Sequence, residues 1–273
     1  MDIETRLSDE LYEKFRDLFY KHTGIYLKDY KKYLVEYRLF KLVGLGKKFN
    51  NFESYYNALL EDKSGILLRE FIQSLTTNWT FFFRENVHFN FLKNYLKEKI
   101  ESEPYMRFWS AGCSTGEEAY SMAICCFEVL DNPFKYDLKI LATDISLKVL
   151  EEAYKGIYHY DRMARGSLDD KILKKYFVFD MINKNFVVKD EVKNLVSFRY
   201  LNLMDNYPFK KKFDIVFLRN VLIYFDNQEK EFILSKIFDV VKDKGYLILG
   251  LSESLVGIRH KFKLLKNSIY QKA

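Results

Sequence analysis

Residues Arg107–Ser121 read RFWSAGCSTGEEAYS, and this stretch decides the fold. Arg107-Phe108-Trp109-Ser110 has the aromatic content of a strand. Gly112 and Gly116 let the backbone turn tightly, and Glu117-Glu118 open an Ala-rich helical run that ends near Leu130. A strand feeding a helix through a glycine-bearing turn is the place where doubly wound sheets bind nucleotides, because unpaired amides and missing side chains let a ligand approach.

The kind of ligand follows from what the turn lacks. A triphosphate loop needs G-x-x-x-x-G-K-[ST], whereas here the last glycine is followed by two carboxylates that repel phosphate. A dinucleotide fingerprint needs three glycines, and this loop has G-x-x-x-G. An adenosine ligand with a cationic amino-acid tail suits the acidic pair better. The plainer alternative is a helix N-terminus whose acids oppose the macrodipole.

Working outward toward the C-terminus, strands and helices alternate as in an α/β sheet. Leu138 to Thr143 is a nearly continuous apolar strand ending at Asp144, and Ser146 can cap the helix that follows. An acid at the end of a second strand commonly accepts hydrogen bonds from a ribose diol; capping is the alternative for Asp144. Asp144 stands somewhat further beyond Gly116 than the roughly 20 residues of the dinucleotide rule, a difference that a longer helix absorbs. Residues 176–200 hold three β-rich pieces broken at Asn183-Lys184-Asn185, which predicts a small inserted antiparallel sheet. The main sheet resumes at Phe213–Leu218, followed by Arg219-Asn220, a helix over Asn227–Val241, a strand over Gly245–Gly250 and a closing hairpin near Phe262 and Tyr270.

Working outward toward the N-terminus, the first 75 residues predict an all-helical unit. Ser8 caps a helix that Gly24 ends. A second helix is expected over Lys28–Val43, with Tyr30, Tyr33, Leu34, Tyr37 and Phe40 as its apolar side. Lys28, Lys31, Arg38 and Lys41 form a basic flank, either a solvated face or a contact for an acidic partner. Helices around Phe52–Leu60 and Ser64–Leu75 follow. Then comes TTNWTFFFRE (Thr76–Glu85), whose polar Asn78, Thr80 and Arg84 stand among rings that want burial. That pattern suits a segment packed against the next domain with polar tips at a cleft; a hydrophobic linker is the alternative. A helix over Asn86–Ile100 leads to the central strand.

Composition narrows the class. With 48% hydrophobic and 18% aromatic residues in 273, a sizeable core is available and wholesale disorder is excluded. A net charge of +6 permits an acidic partner without demanding nucleic acid. Cys113, Cys125 and Cys126 lack disulfide or zinc spacing and the four histidines are scattered, so no metal is expected and a reducing cytoplasm is the simplest setting. The N-terminal MDIETRLSDE has no apolar h-region, and no stretch approaches the roughly 18 apolar residues of a membrane span.

Together, TTNWTFFFRE, FWSAGCSTGEEAYS, ILATDIS, YLNLMDNYPF, FDIVFLRNVLIYFD and GYLILGLSES resemble, in order and spacing and over nearly the whole chain, the chemotaxis receptor methyltransferases of the CheR type. The resemblance implies an α/β class I methyltransferase (Rossmann-like) sheet, residues 101–273, with an N-terminal all-helical domain at 1–76. It also implies an interdomain segment and helix at 77–100 and the small inserted antiparallel β subdomain at 176–200. It implies transfer of a methyl group from S-adenosyl-L-methionine to glutamates of methyl-accepting chemotaxis receptors, giving methyl esters and S-adenosyl-L-homocysteine. Asn78, Thr80 and Arg84 would contact the cofactor, Glu118 its amine, Asp144 its ribose and Asn202-Leu203 its adenine edge. Arg219 and Asn220 would line the same cleft, with Arg84 and Tyr224 beside the transferred methyl. The residues alone leave Glu117 and Glu118 equivalent; the family match favours Glu118. The partners implied are the cytoplasmic domains of transmembrane receptors, met by a cytoplasmic monomer without nucleic acid or membrane insertion.

Two other readings compete. A nucleic-acid amine methyltransferase usually carries an Asn/Asp-Pro-Pro-aromatic loop after the fourth strand, where this chain has Leu218-Arg219-Asn220-Val221. Asp131-Asn132-Pro133-Phe134 lies elsewhere and reads as a turn. A non-catalytic adenosylmethionine sensor is the second; intact Arg84 and Tyr224 weigh against it. The chain departs from the family at Ala119, often Pro, and in its short glycine-free turn at Asn183-Lys184-Asn185.

Overall fold

The structure, a computed structural model, describes residues 6–166 and 168–272, so residues 1–5 of the charged N-terminal stretch lie outside the described residues. Two compact units divide the chain. One runs to Thr77 and also takes in Tyr224–Glu229; the other comprises Asn78–Ile223 and the chain from Lys230 on.

In the helical unit, α1 (Asp9–Thr23) starts where the Ser8 hydroxyl accepts the Leu11 amide at 3.1 Å and stops at left-handed Gly24. A 3-10 turn, Asp29–Lys31, leads into α2 (Lys32–Leu39), and α3 (Phe52–Glu61) opens with a reciprocal Asn51/Ser54 capping box before α4 (Ile66–Leu75). Phe15 centres the core, its ring 5.6 Å from Phe71 and edge-on to Phe52. The Tyr20 hydroxyl donates to the Glu229 carboxylate, which ties Tyr224–Glu229 to this unit.

The second helix differs from expectation. It is shorter than Lys28–Val43, and it buries Val35 and Leu39 while Tyr30, Tyr33 and Tyr37 are 64%, 71% and 74% exposed. A tyrosine carries a hydroxyl that water solvates, so counting it as purely apolar chose the wrong face. Of the expected basic flank only Arg38 lies within α2. Lys28 precedes the 3-10 turn, and Arg38 donates from Nη1 to the carbonyls of Leu75 at 2.7 Å and Thr76 at 3.1 Å, and from Nη2 to Thr77 Oγ1 at 3.1 Å. Arg38 therefore satisfies carbonyls that the end of α4 leaves open.

The sheet unit begins with α5 (Val87–Lys99) and continues through β1 (Met106–Ala111), α6 (Glu117–Val129), β2 (Leu138–Asp144), α7 (Leu147–Lys155), β3 (Ile157–His159), α8 (Tyr160–Met163) and α9 (Asp170–Tyr176). Then follow β4 (Phe177–Asp180), β5 (Asn185–Val188), α10 (Asp190–Lys193), β6 (Val196–Tyr200), β7 (Phe213–Leu218), α11 (Asn227–Val240), β8 (Val241–Leu249), β9 (Phe262–Leu264) and β10 (Ile269–Lys272). The main sheet has the order β6-β2-β1-β7-β8-β10-β9. Its β6-to-β8 run is parallel, and β10 enters antiparallel between β8 and β9. All six residues of β7 are buried, as befits a strand covered on both faces. The strand order reverses between β1 and β7, so the crevice at their carboxyl ends is the switch point where such sheets take ligands.

A separate three-stranded antiparallel sheet, β3-β5-β4, is the inserted element. Its membership corrects the expected 176–200 span. Val196–Tyr200 is instead the edge of the main sheet, running parallel to β2 from Ile140 to Asp144, and Ile157–His159 supplies the third strand. Apolar content alone cannot assign a β-rich piece to one of two sheets, and a strand as short as β3 shows no alternation.

Candidate cofactor and active site

The loop between β1 and α6 is held on several sides. The Gly112 and Cys113 amides donate to the Thr143 carbonyl at 2.8 and 2.9 Å, the Ser114 amide donates to Asp144 Oδ2 at 2.9 Å, and the Ser114 hydroxyl donates to the Asn78 carbonyl at 3.1 Å. Gly112 and Gly116 have φ of 82° and 94°. A Cβ on Gly112 would stand 2.6 Å from Val221 Cγ2, and one on Gly116 2.8 Å from the Ala153 Cβ, so neither position admits a side chain. At the end of β2, the other Asp144 oxygen accepts the Ser146 amide at 2.9 Å. Burial pushes the Asp144 carboxyl up, and the surrounding amides oppose the shift. Each of these amide bonds occupies one acceptor position of its oxygen, and a carboxylate oxygen offers two, so acceptor capacity remains.

Glu117 and Glu118 diverge because successive helical residues point about 100° apart. The Glu117 side chain has no exposure; its carboxylate lies 2.6 Å from Arg162 Nη2 and accepts the Thr115 hydroxyl at 2.7 Å. Arg162 also donates to the Thr115 hydroxyl. The Glu118 side chain keeps 12% exposure, accepting the Ser110 hydroxyl at 2.7 Å and Arg219 Nη1 at 3.0 Å. Burial raises both acids and the partner arginine of each works against it.

Arg219, just beyond β7, joins the loop to the aromatic segment. Besides Glu118, its guanidinium meets Glu85 Oε2 at 3.1 Å and donates to the Arg84 carbonyl. Phe83 and Glu85, on either side of Arg84, have φ of 55° and 58°, an uncommon conformation outside glycine that is held here by Arg219 and by the Phe83 amide donating to Ser121 Oγ at 3.0 Å. Burial raises Glu85, but Arg219, the Leu251 amide and His88 together more than offset it and the carboxyl lies below its ordinary value. The Arg84 guanidinium donates to the Trp79 carbonyl at 3.3 Å, and unlike Arg162 and Arg219 it has no ion pair among the described residues.

Nine of the ten expected site residues fall in the sheet unit. Asn78, Thr80 and Arg84 lie on the segment bonded to the loop; Glu118 and Asp144 follow β1 and end β2; Asn202 and Leu203 come just after β6, and Arg219 and Asn220 just after β7. Asn202 Oδ1 accepts the Met204 amide at 3.0 Å, and the Leu203 carbonyl accepts the Tyr207 hydroxyl at 3.0 Å. Tyr224 belongs to the helical unit, half-buried at the end of the 3-10 turn Leu222–Tyr224. Glu85, Arg162 and Glu253 went unnoticed in the sequence. Glu85 closes TTNWTFFFRE and Glu253 sits in GYLILGLSES, so the motif boundaries were the available signal; Arg162 lies in no motif. Among the described residues no group of three or more His, Cys, Asp or Glu is placed to hold a metal ion, and no helix is long and apolar enough to cross a membrane.

Two family models match the chain: the CheR methyltransferase SAM-binding domain over residues 78–271 and the CheR methyltransferase all-alpha domain over residues 10–76. The chemotaxis protein methyltransferase of Borreliella burgdorferi is 41% identical over 257 residues, covering 91% of this chain and 89% of the relative. The probable chemotaxis protein methyltransferase of Rhizobium etli is 36% identical, covering 93% and 96%. The chemotaxis protein methyltransferase of Escherichia coli is 36% identical, covering 97% and 91%. With a mostly parallel sheet, an acid at the end of β2 and family models matched over both units, the chain belongs to the CheR family of methyltransferases, and S-adenosylmethionine is its cofactor.

Proposed function

We propose that this chain esterifies glutamate side chains on the cytoplasmic domains of chemotaxis receptors, producing glutamate methyl esters and S-adenosylhomocysteine during sensory adaptation. The observation that carries the acceptor is Arg84, whose guanidinium donates to the Trp79 carbonyl, has no ion pair among the described residues and can take a carboxylate. The residues present suit the cofactor as well. Asp144 retains acceptor capacity for a ribose diol, Glu118 offers a carboxylate to a cationic amine, and Asn202 and Leu203 are placed beyond β6 for the adenine edge. Asn78 adjoins the loop through the Ser114 bond, and Thr80 follows two residues on.

S-adenosylmethionine supplies an electrophilic methyl on a sulfonium. The chain's own task is then one of placement. A glutamate is ionised near neutral pH because its ordinary pKa is about 4.3, so no residue need remove a proton. Holding acceptor and donor in line can supply roughly 7 to 11 kcal/mol of the barrier. Arg84 steers the carboxylate, and Tyr224 fixes the nucleophile by a hydrogen bond or turns its phenol oxygen to the sulfonium charge. Incubation with methyl-labelled S-adenosylmethionine and receptor membranes, followed by alkali, tests this. Carboxyl esters release volatile methanol, and an alkali-stable product would overturn the glutamate acceptor.

A further inference from the structure

Beyond β8 the chain reads Gly250-Leu251-Ser252-Glu253, and Glu253 is 7% exposed. No lysine, arginine or histidine lies within ion-pair distance of it among the described residues, a costly state for a buried carboxylate. Amides compensate. Oε2 accepts the Asn220 amide at 2.6 Å and the Gly250 amide at 2.7 Å, and the amides of Leu222 and Ile223 also favour its ionised form. Asn220 has φ of 59°, so its amide turns onto the carboxylate only in a strained conformation. Gly250 completes the fit, since a Cβ there would stand 2.4 Å from Asn220 Nδ2 and 3.0 Å from Glu253 Oε2.

The turn gathered this way carries Arg219 and Asn220 and runs on through the 3-10 turn to Tyr224. We infer that Glu253 is a positioning residue for methyl transfer: it acts as an internal hydrogen-bond acceptor that fixes the turn from Arg219 to Tyr224 and so orients the side chains it bears. The inference rests on Arg219, Asn220 and Tyr224 serving the reaction. A purely structural carboxylate would lower the amount of folded protein and leave turnover per folded molecule alone.

The test uses the whole protein with Glu253→Ala, Glu253→Gln and Gly250→Ala. Gly250→Ala disturbs the same turn while keeping the carboxylate, so it decides the matter if Glu253→Ala folds poorly. Expected for Glu253→Ala and Gly250→Ala, per folded molecule, is a kcat on receptor membranes lower by roughly tenfold to a hundredfold, as for a small misplacement of reacting groups. The KM for receptor should stay unchanged and the Kd for S-adenosylhomocysteine should rise only about threefold, a small part of the tenfold that 1.4 kcal/mol represents. Glu253→Gln keeps one carbonyl acceptor for both amides and should recover part of the loss. A kcat per folded molecule unchanged in both Glu253→Ala and Gly250→Ala overturns the inference. If the unaltered protein methylates no receptor, the acceptor assignment fails separately. The product affinity then still decides, because unchanged values in all three variants refute control of the turn.

Discussion

Replacing Arg162 with Ala leaves the Glu117 carboxylate, with no exposed side chain, facing only the Thr115 hydroxyl. Removing one partner of a buried pair costs about 3 to 5 kcal/mol, and the 28% of the Arg162 side chain already in solvent points to the lower end of that range. For a folding unit of this size the loss corresponds to a fall in Tm of roughly 6 to 12 °C. The pH dependence is the sharper signature. Burial already raises Glu117 with Arg162 opposing it, so losing the arginine raises it further. The native state then holds a proton more tightly than the unfolded one, and stability increases as pH falls through the raised value toward the ordinary value of about 4.3. The deficit of Arg162→Ala relative to the parent should therefore narrow by up to about 1.4 kcal/mol for each pH unit lowered between the variant's raised value and the parent's less raised one, and stay constant below that.

Urea unfolding followed by far-ultraviolet circular dichroism at pH 7.5 and 5.5 measures both effects. Glu117→Gln combined with Arg162→Met, which removes both charges at similar volume, should return most of the stability. A loss below about 1 kcal/mol, as for a surface pair, or a deficit that ignores pH, would refute the reasoning. Arg162 also grips the loop through Thr115, whose carbonyl accepts the Tyr158 hydroxyl at 2.7 Å, so weaker S-adenosylhomocysteine binding should accompany the loss.

Asp144→Ala should weaken S-adenosylhomocysteine binding about ten- to a hundredfold by calorimetry, since bonds to a charged acceptor are worth about 1.5 to 3 kcal/mol; less than threefold would remove Asp144 from ribose binding. Glu118 is raised by burial, and a cationic amine beside it would favour its ionised form, so binding should release a proton. Affinity should then rise with pH from the ordinary glutamate value up through the raised one. Calorimetry in buffers of different ionisation enthalpy should show that release in the parent and not in Glu118→Gln. Arg38→Ala should destabilise the helical unit by about 1 to 3 kcal/mol through lost bonds to the Leu75 and Thr76 carbonyls, with S-adenosylhomocysteine affinity unchanged; a stable variant would return Arg38 to a free basic face.

The strand, turn and helix at Arg107–Ser121 were legible because local chemistry dictates them: a Cβ at Gly112 or Gly116 has no room, and paired acids suit a helix start. The positions of Asp144, Asn202 and Arg219 were legible for a topological reason, since a parallel sheet brings the carboxyl ends of its strands to one edge. Partner choice was not. Arg219 reaches Glu118 and Glu85 across more than a hundred residues, and Glu253 reaches Asn220 from the next strand. No local spacing encodes such pairs. The choice between Glu117 and Glu118 shows the limit most directly. Helical geometry requires the two to part, but which one meets Arg219 depends on where β7 lies, and which one meets Arg162 depends on the chain after β3. Arg162 thereby gives Glu117 a structural task, and the acid beside it keeps its exposure and a partner at the ligand-binding edge of the sheet. The adjacent carboxylates are thus separated into an anchor for the loop at Arg162 and a partly exposed acid paired with Arg219, a division that tertiary contacts impose on two chemically identical residues.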